Sequence, residues 1–442
     1  MTKYGVDYPE TSRQTALYHA EEWYQRLLSE RLQRPYEPIL RSDFGRYNMA
    51  VHYLTSIFEE AKAIEKVAVY NIDHMAQINF YGKDASALLD RVLPINMENM
   101  TIGQCKYTLL LNENGTVRDD MIIMKQSPES YILVINAGHD FTGNGFVSDA
   151  DFIMNYLKPG EDVKVKDISD LYVKVDIQGI YSFKLITEIF GADVLKSRSN
   201  PEKNMGFFSF NEIEIDKEVY FFSRTGYTNR WGWEIYIPIK QAEEMFKKIV
   251  LRALELGGFL VGLGGRDENR ISAGNVGLPL MGSEYCGDFT PTNAPLFNAA
   301  INMAKDNFVG KSALEKDKNN TQTLVLIIAE GNIIHNGVYI DGKRVGRVTS
   351  SIISPNVPLE KRLHIGSSRK NVNEKDGTAA IALAWLNINP YTSDSNEPIR
   401  LKVDLYREKD GVLTGKPILG YISSDGVNPA TASKPLKAIE NL

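Results

Sequence analysis

The sequence predicts an α+β protein whose last quarter is all β. An amphipathic helix pattern covers residues 240–258 and ends at glycine. Residues 106–125 indicate a β-hairpin, because KYTLLL and TVRDDMIIMK flank the turn NENG. After about residue 320, β-rich runs and turns such as Asp341-Gly342 follow at short intervals, which is typical of a small barrel or sandwich. The mixed part precedes the all-β part, which favours α+β.

The other elements follow from local periodicity. Helical spacing of apolar residues predicts helices over 14–34, 51–66 and 85–93, and a short helix within 262–274. Runs rich in β-branched and aromatic residues predict strands over 67–72, 75–81, 131–137, 173–179, 218–224 and 233–239.

Composition limits the class of protein. The 442 residues suggest two to four domains, and 43% apolar content is ordinary for a globular chain. A net charge of −6 argues against binding nucleic acid through its phosphates. The sequence contains no run of 18 apolar residues, so we predict no membrane span. The start MTKYGVDYPETSRQ lacks the apolar core of a signal peptide, and there are only two cysteines, so we expect a reduced, cytoplasmic protein.

Several common sites have no motif here. The six histidines are scattered without HExxH, and the two cysteines do not form CxxC, so we predict no metal site. The sequence contains no P-loop and no GxSxG elbow. GLGG at 262–265 lacks the GxGxxG frame of a dinucleotide site.

The paired carboxylates Asp119 and Asp120 follow the hairpin turn. Side chains alternate along a strand, so only one of the two faces any given cavity. Taken alone, the pair is best interpreted as solvated. The functional interpretation is a carboxylate at the edge of a pocket, where it accepts a proton or orients an amine. We expect replacement of Asp119 to be the milder of the two changes.

Two further segments combine polar and aromatic residues. SRTGYTNRWGWEIY (223–236) is either a turn with stacked aromatic rings or a flat slot for a planar heterocycle. In GLGGRDENR (262–270), Arg266 near a helix N-terminus either binds a carboxylate or pairs with Asp267.

These segments, in this order, resemble the glycine cleavage T-protein (aminomethyltransferase) superfamily. The resemblance covers most of the chain after about residue 50. It is carried by YLTSIFEEAKAIEKVAVYNIDHM (53–75), GQCKYTLLLNENGTVRDDMII (103–123), ILVINAG (132–138), SRTGYT with GWE (223–234), GLGGRD (262–267), DNFVGKSAL (306–314) and GKRVGRVTSSIISP (342–355).

The resemblance implies a three-domain cloverleaf with a C-terminal antiparallel β-barrel. Residues 1–75 and 168–320 would form interleaved parts of an α+β folate-binding domain. Residues 76–167 would form a ferredoxin-like α+β domain, and 321–442 the barrel. Tetrahydrofolate would lie in a central funnel.

The resemblance also implies a site. Its catalytic aspartate falls on Asp120, which would orient the folate and manage its proton during transfer. Other folate contacts fall on Met75, Tyr107, Val134, Asn136, Tyr227, Glu234 and Arg266. Glu234 and Asn136 would form hydrogen bonds with the pteridine edge, and the two tyrosines would form aromatic walls. Arg266 would bind a negative charge near the entrance of the funnel.

Departures from the family pattern concern the donor. The Pro-x-Glu-x-Gly-Leu segment becomes PLFNAA (295–300), which lacks the glutamate, and Arg-Leu-Glu becomes Arg270-Ile271-Ser272. Extra residues lie near 139–149 and 358–376. Three hypotheses follow. The first is a transferase that uses an aminomethyl-lipoyl carrier protein. The second is a demethylase that acts on a small methylated compound. The third is a folate-binding regulatory protein without turnover.

Overall fold

The computed structural model describes residues 13–143, 145–287, 289–292, 294, 296–362, 379–391, 400–409, 412–428 and 430–434. It contains three open sheets and one closed barrel, with helices packed on their outer faces.

The first sheet is small and lies beside the first helix. Its strand order is β1–β3–β2, and its strands are β1 Arg13–Gln14, β2 Leu40–Phe44 and β3 Tyr47–His52. Helix α1 (Tyr18–Leu32) confirms the predicted first helix and buries Tyr24 and Leu28 in the main core.

The second predicted helix is wrong in its first part. Residues 51–52 end strand β3, and helix α2 covers only Ile57–Lys62. Ser56 stops the helix from starting earlier. Its Oγ accepts from the Glu59 N–H at 3.2 Å, and the Glu59 carboxylate accepts from the Ser56 N–H at 2.8 Å. This reciprocal capping box fixes the first turn.

The second sheet has five antiparallel strands and contains the predicted hairpin. Its order is β6–β7–β8–β5–β9, with β5 Ala76–Tyr81, β6 Cys105–Leu111, β7 Val117–Ser127, β8 Ser130–Ile135 and β9 Lys164–Asp167. Helices α3 (Ala85–Val92) and α4 (Asp149–Met154) cover one face with an apolar core. The other face turns toward the third sheet.

The third sheet has six strands. One of them precedes the second sheet in the sequence, and the other five follow it. Its order is β11–β12–β13–β10–β4–β14, with β4 Ala68–Asn71, β10 Tyr172–Gln178, β11 Phe210–Ile215, β12 Glu218–Ser223, β13 Gly232–Pro238 and β14 Phe259–Val261. Helices α1, α5 (Ser182–Phe190) and α6 (Ala242–Glu255) pack on one face, and α7 (Leu263–Ile271) follows β14.

Alternation along β10 divides the faces of this sheet. Val173, Val175 and Ile177 lie in the apolar core beneath the helices. Lys174 and Asp176 lie on the opposite face, where they are almost fully buried. The face that the third sheet turns toward the five-stranded sheet therefore carries these two charged residues beside the buried aromatic residues Phe221 and Tyr236.

The C-terminal part is a closed antiparallel barrel, as the sequence predicts. Its order is β15–β18–β17–β16–β19–β20, and β20 pairs with β15. The strands are β15 Thr323–Ala329, β16 Gly337–Ile340, β17 Lys343–Ser354, β18 Ala379–Leu386, β19 Arg400–Lys409 and β20 Val412–Ser423. The short helices α8 Phe297–Ala300, α9 Lys311–Lys316 and α10 Leu359–Arg362 flank it.

The predicted domain division stays a prediction. The strands of the five-stranded sheet lie between residues 76 and 167, and those of the barrel begin at Thr323. Most of the extra segment near 358–376 lies outside the described residues, as do residues 1–12 of the predicted first domain.

Candidate active site

A cavity of about 290 Å³ lies between the facing sheets, beside α7. All the site residues predicted from the sequence line it, namely Met75, Tyr107, Asp120, Val134, Asn136, Tyr227, Glu234 and Arg266. They come from strands β6, β7 and β8 of the five-stranded sheet, from the positions just before β5 and just after β8, from β13 and the loop before it, and from α7. The fold therefore brings residues far apart in the chain around one space.

Asp120 faces this cavity from the middle of the sheet, on β7. Tyr107 Oη donates a hydrogen bond to Asp120 Oδ2 at 3.0 Å, and Asn136 Nδ2 donates to Oδ1 at 2.6 Å. Burial raises the pKa of Asp120, although both hydrogen bonds favour its ionised form. Asp120 is thus oriented by neutral donors and is suited to hold or take up a proton at the cavity wall.

Asp119 points to the other side of β7, as strand alternation predicts, but it is not solvated. Its side chain is 0% exposed. Asp119 Oδ2 accepts from the Asn136 backbone N–H at 3.1 Å, and Oδ1 accepts from Asn136 Nδ2 at 2.8 Å. The solvated interpretation of the pair is therefore wrong for Asp119, because this face of the strand is covered.

A buried charged cluster covers Asp119. His139 Nδ1 lies 3.9 Å from Asp119 Oδ2 and 3.5 Å from Asp149 Oδ1, and Arg118 Nε lies 3.0 Å from Asp149 Oδ1. Burial opposes protonation of the imidazole, but the two carboxylates raise the pKa of His139 to about 9. Ligand atoms of Asp119, His139 and Asp149 lie within 4.8 Å of one another. Arg118 and His139 are the two basic groups that face these carboxyl groups.

Glu234 lies on the same face of the third sheet as Lys174, whose buried ammonium is beside it. Lys174 Nζ is 3.2 Å from Glu234 Oε2. Thr225 Oγ1 donates to the same carboxylate oxygen at 2.6 Å. These two contacts hold the carboxylate against β10.

The loop that carries Tyr227 is fastened to β10 through Gln178. Gln178 Nε2 donates to the Thr225 carbonyl at 3.1 Å, and Thr228 Oγ1 donates to Gln178 Oε1 at 2.7 Å. A Cβ at Gly232 would lie 2.0 Å from Gln178 Nε2. Any larger residue at position 232 would displace the Gln178 amide and its two hydrogen bonds to the loop.

Arg266 contacts Tyr227 across the cavity wall. Its guanidinium carbon lies 5.2 Å from the centroid of the Tyr227 ring. Its Nε is buried and has no hydrogen-bond partner among the described residues. The alternative pairing with Asp267 is wrong, because Asp267 accepts from Arg270 Nε at 2.7 Å instead.

Comparison with known proteins identifies the family. A family profile described as GCVT N-terminal domain matches residues 41–305. Aminomethyltransferases from two strains of Desulfitobacterium hafniense, DSM 10664 / DCB-2 and Y51, are each 31% identical over 335 residues, which is 73% of this chain and 84% of theirs. The chain belongs to the GCVT family.

The solved aminomethyltransferase T of the glycine cleavage system from Bartonella henselae shares the fold. It aligns with a TM-score of 0.73 and 22% identity, over 96% of this chain and 100% of that one. The predicted T-protein-like fold class is thereby confirmed. Membership of the GCVT family confirms the predicted enzyme class, a tetrahydrofolate-dependent one-carbon transferase of the glycine cleavage T-protein type.

The site of this GCVT-family chain contains residues that sequence reasoning missed. Lys174, Phe44, Phe207, Phe208 and Arg230 also line the cavity. A signal existed for Lys174, because VKVDIQG places charged residues two apart in an apolar strand. Nothing local in the sequence indicates the others.

Arg224 and Trp231 of the 223–236 segment do not line the cavity. Arg224 is buried and donates to the Met205 carbonyl at 3.1 Å and the Ala432 carbonyl at 3.0 Å. Trp231 Nε1 donates to the Lys434 carbonyl at 3.3 Å. Both therefore hold the last described segment of the chain, while Tyr227 and Glu234 face the cavity.

Among the described residues, no helix combines the length and the apolar character needed to cross a membrane.

Proposed function

We propose that tetrahydrofolate binds in the 290 Å³ cavity and accepts a one-carbon unit there. The observation that most directly supports this proposal is the position of Asp120, whose carboxyl group is held at the cavity wall by Tyr107 and Asn136. A fixed proton-handling group beside the reacting nitrogen provides orientation and acid–base catalysis together.

Each of the predicted contacts has a physical role in this proposal. Glu234 accepts hydrogen bonds from the pteridine edge, and Tyr227 supplies an aromatic wall. Met75 and Val134 provide apolar contact. Arg266 has an unpaired buried N–H and is suited to a folate carboxylate.

In this proposal Asn136 does not bind the ligand through its side-chain amide nitrogen. Its amide nitrogen is already used by Asp119 at 2.8 Å and by Asp120 at 2.6 Å. We therefore assign Asn136 to positioning of Asp120. The Tyr107 hydroxyl has the same task, and its ring lines the cavity.

The carbon donor enters, in this proposal, from a second cavity of about 470 Å³. Tyr107, Phe207, Phe208 and Ala299 line both cavities, so the two share a wall beside Asp120. The donor that we favour is an aminomethyl group on a lipoyl carrier protein, because the relatives of this chain are aminomethyltransferases.

One observation favours a demethylase as the second candidate. The segment without the family's glutamate contributes Leu296 and Ala299 to the cavity wall. The same segment places Asn298, an uncharged amide, on the wall of the second cavity. A donor side without a carboxylate from that segment suits a small methylated compound better than a cationic aminomethyl group. In both reactions Asp120 acts on the folate side. Membership of the GCVT family favours these two enzymes over the regulatory protein.

Turnover with defined donors tests this proposal. The purified protein and tetrahydrofolate are supplied either with an aminomethyl-loaded lipoyl carrier protein or with a panel of small N-, O- and S-methyl compounds. Methylene-tetrahydrofolate and ammonia formed only with the carrier support the first candidate. Methyl-tetrahydrofolate formed from a small compound supports the second. Absence of both products under reducing conditions would contradict the proposal.

A further inference from the structure

Lys174 is a buried lysine inside the cavity, and the resemblance assigns it no role. Its side chain is 1% exposed, and its Nζ lies 3.2 Å from Glu234 Oε2. The same nitrogen lies 3.9 Å from Met75 Sδ and 5.3 Å from the centroid of the Tyr236 ring. A buried ammonium is costly unless it is paired, so the Glu234 carboxylate is what makes this position tolerable.

The strand register fixes the two groups beside each other. Lys174 on β10 is paired with Tyr236 on β13, and Asp176 is paired with Glu234. Lys174 and Glu234 are thus diagonal neighbours on the same face of the sheet. Both strands have interior positions in a six-stranded sheet, so the separation of the two groups is rigid.

Each member of the pair has capacity left for a ligand. Within the described chain, Oε2 of Glu234 takes both the Lys174 and the Thr225 contact, which leaves Oε1 available. An ammonium has three N–H groups, and one of them serves Glu234. The cavity wall therefore presents a donor and an acceptor side by side.

That pattern complements one edge of a pteridine. Tetrahydrofolate has a 4-oxo acceptor next to an N3–H donor and a 2-amino donor. Resting on the proposed function, we propose that Lys174 is a specificity-determining residue that donates to the 4-oxo group while Glu234 accepts from N3–H and the 2-amino group. A 4-amino group in the same place would turn N–H donors toward the ammonium, and the more basic diamino ring would add a like charge.

Calorimetric titration with two matched ligands tests this assignment. Tetrahydrofolate and tetrahydroaminopterin differ in the 4-oxo or 4-amino group and in the N3–H, which the neutral 4-amino ring lacks. We expect the wild-type protein to bind tetrahydrofolate roughly 10- to 100-fold more tightly, the range for a hydrogen bond to a charged group. Equal binding, or tighter binding of the 4-amino ligand, would overturn the inference without any variant.

Variants locate the selectivity. We expect Lys174→Met to lower the affinity ratio about 10-fold, and Lys174→Gln, which keeps an N–H donor without the charge, to lower it less. Lys240→Met is the matched control, because the Lys240 side chain is 78% exposed and pairs with Glu218 on β12. A wild-type ratio in folded Lys174→Met would overturn the inference and leave the proposed function intact. If the wild-type protein bound neither ligand, the proposed function itself would be overturned, and this inference with it.

Discussion

The two faces of β7 carry the same side chain in opposite settings. Asp120 faces the cavity and is held by two neutral donors, Tyr107 and Asn136. Asp119 faces a closed cluster and is held by the Asn136 amide with the His139 imidazole nearby. Asp119 is fully buried and Asp120 is half-buried at the cavity wall, and the two carboxyl groups also differ in their partners.

Two adjacent residues of one strand can therefore have different roles, one structural and one catalytic. Burial raises the pKa of Asp119, and the nearby His139 imidazole opposes that shift; the Asn136 hydrogen bonds fix the carboxyl in place, which suits a structural role. Neutral donors leave the proton of Asp120 adjustable, which suits catalysis. Asn136 contacts both carboxylates, so it couples the cluster to the cavity.

Asp120→Asn tests the catalytic half of the comparison. We expect kcat to fall about 10²- to 10⁴-fold, the usual contribution of a positioned acid or base. The amide is nearly isosteric with the carboxyl, so the unfolding midpoint changes little. Steady-state turnover with the donor that works for the wild type measures the effect. Turnover within twofold of wild type would show that Asp120 is not catalytic.

Asp119→Asn tests the structural half. The amide keeps one oxygen where the carboxyl has two acceptors, so one of the two buried Asn136 donors loses its partner at position 119, and we expect the free energy of unfolding to fall by about 1–3 kcal/mol. Turnover per folded molecule falls much less than in Asp120→Asn, because Asp119 does not line the cavity. Urea denaturation with parallel activity assays separates the two effects. A loss of turnover equal to that of Asp120→Asn would remove the distinction between the faces.

The pH dependence of stability tests the charge of His139. The pKa of His139 is raised to about 9 in the folded protein and is about 6.5 in an unfolded chain. The protonated state therefore stabilises the fold fully below pH 6.5, and this contribution is lost as the pH rises toward 9. We expect the loss to be about 3 kcal/mol. In His139→Gln this part of the pH dependence is absent. An identical profile in both proteins would contradict a charged His139.

Tyr107→Phe should give the smallest effect. It removes one hydrogen bond to Asp120 and keeps the aromatic wall. We expect kcat to fall roughly 3- to 10-fold, as for one hydrogen bond of ordinary strength. The unfolding midpoint serves as the control and is expected to stay within error. An unchanged kcat would mean that Asn136 alone positions Asp120.

The sequence predicts those parts of the fold that depend on local pattern. The hairpin around Gly115 and helix α6 follow from turn residues and from helical spacing. The helix predicted over 51–66 begins too early, because the apolar spacing that predicts it extends upstream of the cap at Ser56. Pairing of β4 with both β10 and β14 joins segments more than 100 residues apart, which local pattern does not indicate.

The same limit applies to the site. The resemblance placed eight residues that line one cavity. It gave no role to Lys174, whose partner Glu234 lies on another strand, or to His139, which belongs to a departure from the family pattern. Their roles depend on burial and on distant partners, so they become visible only in the folded chain.

Calorimetric titration of the wild-type protein with tetrahydrofolate, beside Arg266→Ala and Arg252→Ala, tests the central claim most directly. Arg266 lines the cavity, whereas Arg252 forms ion pairs with Glu188 and Glu255 on the outer surface. We predict saturable binding that weakens roughly tenfold or more in Arg266→Ala and stays unchanged in Arg252→Ala. Absence of binding under reducing conditions, or equal binding by all three proteins, would contradict the claim that this cavity is the folate site.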